Sequence, residues 1–352
     1  ADSIRPYSPM GKLLPFTQPL CPASCGRMLS APTERFYYLL KKEGFPMYQS
    51  LRGTIYALIA GICWGFSGTV GQFLFSHTAI DSGWLTTVRL LVSGLILLVM
   101  AAIQRPQSVT GVWKNRRDAL QLVFFGIAGL MAVQYCYMEA IFYSDSGTAT
   151  AVQYTGEAML LVYTCITARR LPKLSEFFGL VLALFGIFLL ATHGSFSGLV
   201  LSPAGLFWGL TAAVALMIYT ASPCRLIEKY GSISITAQGM LIGGLALGLL
   251  LRVWNIPGAY TPEALAGIAA IVLIGTVLGF TIYLQATVLI GPLKAGLIAA
   301  VETVSAPFFS RVWLKTPFQP VDYLGFLCIL SMVFLISLPE LRKERAQTPQ
   351  NS

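Results

Sequence analysis

Two acidic side chains stand inside long apolar segments, where carboxylates are rare. Glu157 and Glu302 each fall near the middle of a hydrophobic run. An ionised carboxylate at the centre of a bilayer costs about 2.5–3.5 kcal/mol on insertion scales, so each side chain must face protein or water, or hold a proton. Chemically, such a residue can bind a substrate amine or carry a coupling proton. The alternative is a structural hydrogen bond between packed helices.

A polar stripe accompanies the first of these carboxylates. Thr150, Gln153, Tyr154, Glu157 and Thr164 are spaced by three, four and seven residues, so one continuous helix would place them on one face. A helix face turned toward lipid would not carry this many polar groups. We therefore expect Gln153 and Tyr154 to line a substrate site beside Glu157.

Aromatic side chains form a second candidate set. Trp64, Trp208, Tyr137 and Tyr283 share helix faces with small polar residues, and Gln134 accompanies Tyr137. This mixture suits a cavity for small organic solutes, and beside a carboxylate it suits a cation. Trp and Tyr also collect at membrane interfaces, so anchoring is the alternative for each. The pairing of Trp64 with Trp208 and of Tyr137 with Tyr283 in the repeat described below favours the cavity.

Two further charged residues lie within apolar segments. Arg89 is roughly 10 Å deep at 1.5 Å per residue, and we expect it to reach the outer interface or to form a structural ion pair, with a coupling role as the alternative. Glu139 lies near the outer end of its segment, where we expect it to reach the lipid headgroups.

The sequence offers no residue set for covalent or metal chemistry. Both histidines, His77 and His193, fall at the ends of apolar segments, and no His-Glu-x-x-His, Gly-x-Ser-x-Gly or phosphate-loop motif occurs. Most of the cysteines lie in apolar segments, where cysteine is usually a small apolar residue. We predict no enzyme activity, no catalytic residues, no cofactor, no metal site and no disulfide framework.

The composition identifies the elements that must position these candidates. Of 352 residues, 55% are hydrophobic and only 11% are charged, whereas soluble domains are about 25% charged. The net charge of +9 is spread between apolar runs, so we expect no nucleic-acid partner. The chain is predicted to be an all-α polytopic membrane protein in a lipid bilayer. Ten runs can span about 30 Å of hydrocarbon, and they start near Gly53, Gly83, Leu120, Thr148, Glu176, Ala204, Ile233, Ala264, Pro292 and Val321.

The basic residues predict the orientation of these spans. With a cytoplasmic N-terminus, the outside segments hold only Arg252, Arg311 and Lys315 of the 24 Lys and Arg residues, and Arg89 lies within a span. This bias predicts that both termini are cytoplasmic, including the tail 339–352.

Residues 1–50 are predicted to form a polar leader outside the fold. Prolines and acidic residues occur there, and no apolar run of a secretory signal is present. We expect translated upstream sequence with a native start at Met47, and an organellar transit peptide is the alternative.

An internal repeat organises the spans. Gly61-Ile-Cys-Trp64 corresponds to Gly205-Leu-Phe-Trp208, Tyr137-Met-Glu-Ala140 to Tyr283-Leu-Gln-Ala286, and Glu176-Phe-Phe-Gly179 to Asp322-Tyr-Leu-Gly325. The repeats, 51–194 and 203–338, therefore hold about five spans each. An odd number of spans inverts the second copy, and inverted repeats place a site near the midplane between the halves.

The same residues resemble the EamA branch of the drug/metabolite transporter superfamily. The resemblance covers roughly residues 51–338 and rests on Trp64-Gly, Arg89, Ala140, Gly179 and Gly186, then on Ala286 to Glu302 and Gly325. It implies ten helices, transport of small metabolites, and a cavity lined mainly by spans 1, 3, 4, 6, 8 and 9. It also implies that neither ATP nor covalent chemistry is used.

The chain departs from the family pattern at two related positions. The family usually has Glu-Pro in span nine, where this chain has Glu302-Thr303 and a proline only at Pro307. The matching position in span four is usually proline, and here it is Glu157. Glu157 is therefore the carboxylate that most distinguishes this chain.

Together these patterns predict a secondary-active transporter in a bacterial inner membrane. Its substrate would be a small organic metabolite, such as an amino acid, an amine or a drug-like solute, with H+ or Na+ as the coupling ion. A non-transporting membrane scaffold and a channel are the alternatives. A homodimer is one oligomeric state that the sequence leaves open.

Overall fold

The chain is described by a computed structural model over residues 46–195, 198–255 and 261–347. Residues 1–45 of the predicted leader lie outside the described residues. The native start at Met47 stays a prediction. The end of the predicted tail, residues 348–352, also lies outside them.

The described residues are built from helices, and no strand occurs among them. The first repeat contains α1 Pro46–His77, α2 Ser82–Gln104, α3 Arg116–Tyr143, α4 Ser146–Tyr154, α5 Gly156–Thr167 and α6 Leu174–Thr192. The second contains α7 Pro203–Ala221, α8 Ser232–Leu251, α9 Pro262–Ile290, α10 Pro292–Ala299, α11 Glu302–Trp313 and α12 Pro320–Gln347. Within the described ranges, nine helical segments are long and apolar enough to span a bilayer. The all-α polytopic prediction is thus confirmed.

The fourth and ninth predicted spans are interrupted helices, a feature that the sequence did not predict. The fourth is α4 followed by α5, with a break at Thr155, and the ninth is α10 followed by α11, with a break at Ala300 and Val301. At the first break the Thr155 hydroxyl donates to the carbonyl of Val152 at 2.6 Å. At the second, the Thr303 hydroxyl donates to the carbonyl of Ala300 at 2.8 Å. These local bonds compete with the i to i−4 ladder and end each first half-helix.

Two π-helical segments lie at equivalent places in the third and eighth spans. They cover Phe125–Met131 in α3 and Ala270–Leu278 in α9. In the second, the Thr276 hydroxyl donates to the carbonyl of Ile271 at 3.0 Å, which is the spacing of a π-turn. Segments of this kind frequently occur at functional sites.

The packing of the helices follows the repeat. Helix α1 packs against α9 and α11, and its counterpart α7 packs against α3 and α5. Each first span therefore lies among the third and fourth spans of the other repeat. The aligned residues Glu176 and Asp322 also cap their helices in the same way, because each accepts from the backbone N–H three residues earlier, at 2.7 and 2.8 Å. The two-repeat prediction is confirmed.

Small residues allow the second and seventh spans to approach closely. A Cβ at Gly244 of α8 would meet Leu91 of α2, and one at Gly243 would meet the carbonyl oxygen of Gly126 in α3. The glycine-rich face of α8 is therefore a packing surface.

Candidate functional site

The two helix breaks meet in the protein interior. Tyr154 is the last residue of α4, and Glu302 is the first residue of α11. The Tyr154 hydroxyl donates to Oε2 of Glu302 at 2.9 Å, although 148 positions separate the two residues in the chain. The side chain of Glu302 is buried. The contact joins the two repeats at the level where both spans are interrupted.

Both candidate carboxylates lie in the first turn of a second half-helix. Glu302 begins α11, and Glu157 is the second residue of α5. The first turn of a helix has backbone N–H groups without intrahelical partners and carries a partial positive charge. Because a carboxylate is favoured there, the interrupted helices offset part of the cost of placing an acid inside the membrane. Continuous helices would not supply this compensation.

Glu157 differs from Glu302 in having no protein partner. Its side chain is half-buried, and among the residues the structure describes it makes no hydrogen bond or ion pair. Its charge interacts with Tyr154 and Tyr283. Glu157 is therefore the carboxylate that is left for an external cation.

The predicted polar stripe is only partly correct. The break at Thr155 places Thr150 and Gln153 on α4, and Glu157 and Thr164 on α5, so the five residues do not share one continuous helix face. Gln153 is buried, and its amide has no hydrogen bond among the described residues. The Thr164 hydroxyl donates to the carbonyl of Leu160 at 2.8 Å, so its role is within its own helix.

Two of the aromatic candidates, Trp64 and Tyr283, are in contact. The ring of Trp64 lies 5.1 Å from the ring of Tyr283 and 5.3 Å from that of Phe280. The indole Nε1 is buried without a hydrogen-bond partner in the described part of the chain. The Tyr283 hydroxyl interacts electrostatically with Glu157.

Trp208 does not join Trp64, and its assignment to the same site is wrong. Its ring packs edge-on against Tyr135 at 5.6 Å and against Phe207 at 5.3 Å. It contributes to a core cluster that includes Met138, whereas Trp64 packs into a different one. The repeat pairs the first span with the eighth and the sixth with the third, but it does not bring the two indoles into contact.

Tyr137 has a structural partner, and Gln134 does not. The Tyr137 side chain is buried, and its hydroxyl lies 2.8 Å from the hydroxyl of Thr150. This bond joins α3 to α4 within the first repeat. Gln134, also buried, makes no hydrogen bond to the residues the structure describes.

Arg89 does not reach the membrane interface, so that expectation is wrong. Only 4% of its surface is exposed, and its Nε donates to the hydroxyl of Thr276 in α9 at 2.8 Å. Its charge interacts with Tyr137 and Glu302, but no ion pair to it occurs among the described residues. The position of Arg89 along α2 predicted a place near the membrane interface. Its hydrogen bond to Thr276 of α9 instead keeps the guanidinium in the protein interior.

Glu139 also turns inward, which contradicts the expected contact with headgroups. Its side chain is buried and accepts a 2.5 Å hydrogen bond from the Ser82 hydroxyl at the start of α2. This residue ties α2 to α3.

A cluster centred on Gln72 in α1 was missed by the sequence reasoning. The Gln72 oxygen accepts from the backbone N–H of Ser146 at 3.0 Å and from the Ser310 hydroxyl at 2.8 Å. Its amide nitrogen donates to the Thr316 hydroxyl at 3.0 Å. One side chain thus links α1, the start of α4 and the end of α11. The only signal in the sequence was a single amide in an apolar segment.

The packing of the interrupted spans is unequal on the two sides of the membrane. Helix α4 packs against α11 and α1 on the side that carries Gln72. The equivalent pair on the opposite side, α10 and α5, has no comparable packing. Among the described residues, α4 and α11 are thus in contact on one side of the carboxylates, called the closed side below, and α5 and α10 are not comparably packed on the other.

Comparison with known proteins places these features in a family. The model of the EamA-like transporter family matches residues 51–192 and 203–338, which are the two repeats. An inner membrane transporter of Salmonella typhimurium, YicL, is 34% identical over 300 residues, covering 85% of this chain and 100% of that protein. A transporter of Bacillus subtilis, YcbK, is 21% identical over 315 residues, covering 86% of this chain and 97% of that protein.

The fold is also found among solved structures. One crystal structure aligns with a TM-score of 0.56 at 16% identity, covering 82% of this chain and 98% of that chain. At that identity the similarity concerns the arrangement of the helices alone.

Proposed function

Because this chain belongs to the EamA-like transporter family and is therefore a membrane transporter, we propose that it moves a small organic metabolite with a cationic amine. Transport would be secondary-active and would occur by alternating access across a bacterial inner membrane. The name of the Salmonella typhimurium relative, an inner membrane transporter, supports that location.

The proposal rests on a difference between the two helix breaks. The carboxylate at the break in the fourth span has no partner in the described part of the chain, whereas the carboxylate at the break in the ninth span is hydrogen-bonded. Glu157 has no protein partner among the described residues, and Glu302 is held by Tyr154 at 2.9 Å. A half-buried acid without a partner is costly unless a cation or a proton occupies it. An amine bound at Glu157, or shared with Glu302, would remove that cost.

Aromatic rings would enclose the rest of the substrate. Trp64 and Tyr283, with ring centres 5.1 Å apart, can pack against an apolar group or the face of a cation. Gln153 and Gln134 offer amides without hydrogen bonds among the described residues. Such groups fix the orientation of a polar solute.

Glu302 is the candidate for the coupling ion. Its hydrogen bond to Tyr154 holds one carboxylate oxygen, so the other remains for a proton or for the substrate amine. Proton coupling would follow if the carboxylate is protonated on one side of the membrane and releases the proton on the other. Na+ is the alternative coupling ion, and transport in matched ion gradients separates the two.

Alternating access follows from the repeat and from the unequal packing. In this structure α4 and α11 are in contact, and α5 and α10 are not comparably packed. Exchanging the conformations of the two repeats would close the second pair and open the first. The excess of Lys and Arg in the even-numbered loops supports cytoplasmic termini, and it would make the open side the cytoplasmic one.

A ligand screen tests the proposed substrate class. Purified protein would be heated with amino acids, polyamines and quaternary amines, and unfolding would be followed by fluorescence. A ligand at 100 times its Kd adds about 2.7 kcal/mol of stability. We expect an amine-bearing ligand to raise the Tm of the wild type and of Glu228→Gln, an exposed control, and to have no effect on Glu157→Gln. A hit that Glu157→Gln retains in full would contradict the proposal.

A further inference from the structure

Arg89 is a buried cation whose hydrogen-bonding capacity is largely unused. A guanidinium has five N–H donors, and it stays charged inside proteins. Here Nε donates to Thr276 at 2.8 Å, while Nη1 is fully buried and has no hydrogen-bond partner in the described part of the chain. Leaving a charged donor unpaired in a low-dielectric interior is expensive.

No acidic side chain among the described residues neutralises Arg89 by direct contact. Its charge interacts with that of Glu302, but no oxygen of a described carboxylate lies within ion-pair distance of it. Glu139, on the neighbouring α3, is bonded to Ser82 instead. Arg89 and Glu302 are thus two buried residues of opposite charge that form no ion pair with one another in the described part of the chain.

Thr276 determines how the guanidinium is presented. The Thr276 hydroxyl accepts from Arg89 and itself donates to the carbonyl of Ile271 at 3.0 Å within the π-helical segment of α9. With Nε fixed in this way, the Nη groups are the part of the guanidinium left for another acceptor. A guanidinium edge of this kind recognises carboxylates in a two-pronged geometry.

We propose that Arg89 is a recognition residue for a carboxylate on the transported solute, so that the substrate class is amino-acid-like and zwitterionic. This inference rests on the proposed function, in which Glu157 and Glu302 take the amine. A zwitterion would place its carboxylate at the Nη edge of Arg89 and its ammonium toward Glu302. Arg89 and Glu302 would then each have a partner of the opposite sign, and the substrate would enter without adding net charge to the membrane interior.

A structural role for Arg89 is the competing explanation, and the two make different predictions. A guanidinium that only joins α2 to α9 would affect all ligands equally when it is removed. A recognition residue would affect only those ligands that carry the acid. The distinction therefore requires ligand pairs that differ by the carboxylate alone.

The experiment measures the affinity of such pairs for detergent-purified full-length protein by thermal shift. The probes are L-phenylalanine with phenethylamine, L-leucine with isoamylamine, and L-lysine with cadaverine. For the wild type and for Arg117→Gln, an exposed control, we expect the amino acid of at least one pair to bind about ten- to hundredfold more tightly than its amine. For Arg89→Gln we expect this ratio to fall to about one, with the affinity for the amine retained.

Each contrary result has a separate meaning. If the wild type binds the amines as tightly as the amino acids, the carboxylate subsite is wrong and the proposed function stands. If it binds neither, the proposed function itself is contradicted. If Arg89→Gln weakens both members of a pair equally, Arg89 is structural. Should that variant not fold, Thr276→Val decides: a several-fold fall in the ratio supports the subsite, and an unchanged ratio overturns it.

Discussion

The Tyr154 hydroxyl donates a 2.9 Å hydrogen bond to Oε2 of Glu302, and this bond joins the last residue of one half-helix to the first residue of another. The two residues belong to different repeats, and both lie where a membrane span is interrupted. A carboxylate placed there is stabilised by the start of its own helix and by a phenol from the opposite repeat. The geometry supports a site shared by both halves of the protein.

Removing this hydroxyl should weaken substrate binding without unfolding the protein. In Tyr154→Phe the ring remains, but Glu302 loses the donor that orients it. A hydrogen bond to a charged group contributes about 1.5–3 kcal/mol, so we expect the KM for transport to rise by about tenfold or more. Tyr163→Phe, on the exposed side of α5, is the matched control and should transport normally. An unchanged KM for Tyr154→Phe would show that substrate binding does not depend on the hydrogen bond between Tyr154 and Glu302.

The break in the fourth span should be sensitive to a single methyl group. A Cβ at Gly156 would collide with the backbone carbonyl of Ala213 in α7 and would approach Leu216. Overpacking of this kind costs about 1–3 kcal/mol, and here it would push α5 away from α7. We expect Gly156→Ala to lower both the Tm and the transport rate, measured on the same preparation. Gly198→Ala, with no atom within 4 Å of the added carbon, should change neither, and a Gly156→Ala protein with full activity would refute the close contact.

The Gln72 cluster should hold the closed side shut. By the offset of 144 residues between Trp64 and Trp208, the position in the second repeat that corresponds to Gln72 is Leu216, so the opposite closure lacks this amide. Gln72→Leu removes three bonds at about 0.5–1.5 kcal/mol each and should favour the state opened on that side. Spin labels at Phe142 and Lys315, which are exposed on that side, should report a longer distance in this variant.

The control for that measurement removes a similar bond elsewhere. Gln121 donates to the backbone carbonyl of Ser222 at 2.7 Å in the opposite half of the molecule. Gln121→Leu should leave the distance between the labels unchanged. The role of Gln72 in closure would be disproved if both variants gave the wild-type distance distribution.

Asp118, at the N-terminal end of α3, forms a polar tether to Arg225, Lys229 and Tyr230. We expect this tether to contribute to stability. Asp118, buried at the start of α3, accepts from Lys229 at 2.7 Å and from Tyr230 at 2.8 Å, and it pairs with Arg225. We expect Asp118→Asn to destabilise the protein by about 1–2 kcal/mol, measured as a lower Tm. Glu263→Gln, an exposed acid at the start of α9, should have little effect, and equal losses in both would argue against the tether.

The tether also predicts a dependence on pH. The hydrogen bond to Asp118 raises the pKa of Lys229 above its usual value. The stabilising contribution of Lys229 is therefore fully present below its unfolded pKa and is lost only as the pH rises through the folded one. The difference in Tm between the wild type and Lys229→Met should stay constant from pH 6 to 9. A difference that disappears within that range would contradict the predicted direction.

The repeat made much of the fold predictable. The correspondence of Trp64 with Trp208 and of Glu176 with Asp322 was enough to predict two related repeats, whereas the packing partners of α1 and α7 are known only from the structure. The break at Thr155 could not be predicted in the same way, because a threonine followed by a glycine is compatible with a continuous helix. The interruption depends on a local hydroxyl bond and on the approach of α7.

The site residues were predicted less completely, for two physical reasons. Depth along a helix placed Arg89 near the interface, but its partner Thr276 lies 187 positions away and holds it inside. Symmetry suggested a common role for Trp64 and Trp208, but the protein adopts a state in which its two sides differ. Glu157 and Glu302 are conspicuous in the sequence because an acid in an apolar span is rare whatever its tertiary contacts, and their role in binding stays a prediction.

Uptake into proteoliposomes tests the central claim, that the carboxylates at the helix breaks bind the transported amine or its coupling proton. Counterflow of a labelled amino acid or amine identified by the ligand screen would be measured between pH 5.5 and 8.5 for wild type, Glu157→Gln, Glu302→Gln and the exposed control Glu228→Gln. We expect saturable uptake by the wild type and the control, and its loss in both carboxylate variants. Uptake by Glu157→Gln at the wild-type rate, with an unchanged dependence on pH, would contradict the proposed role of that residue.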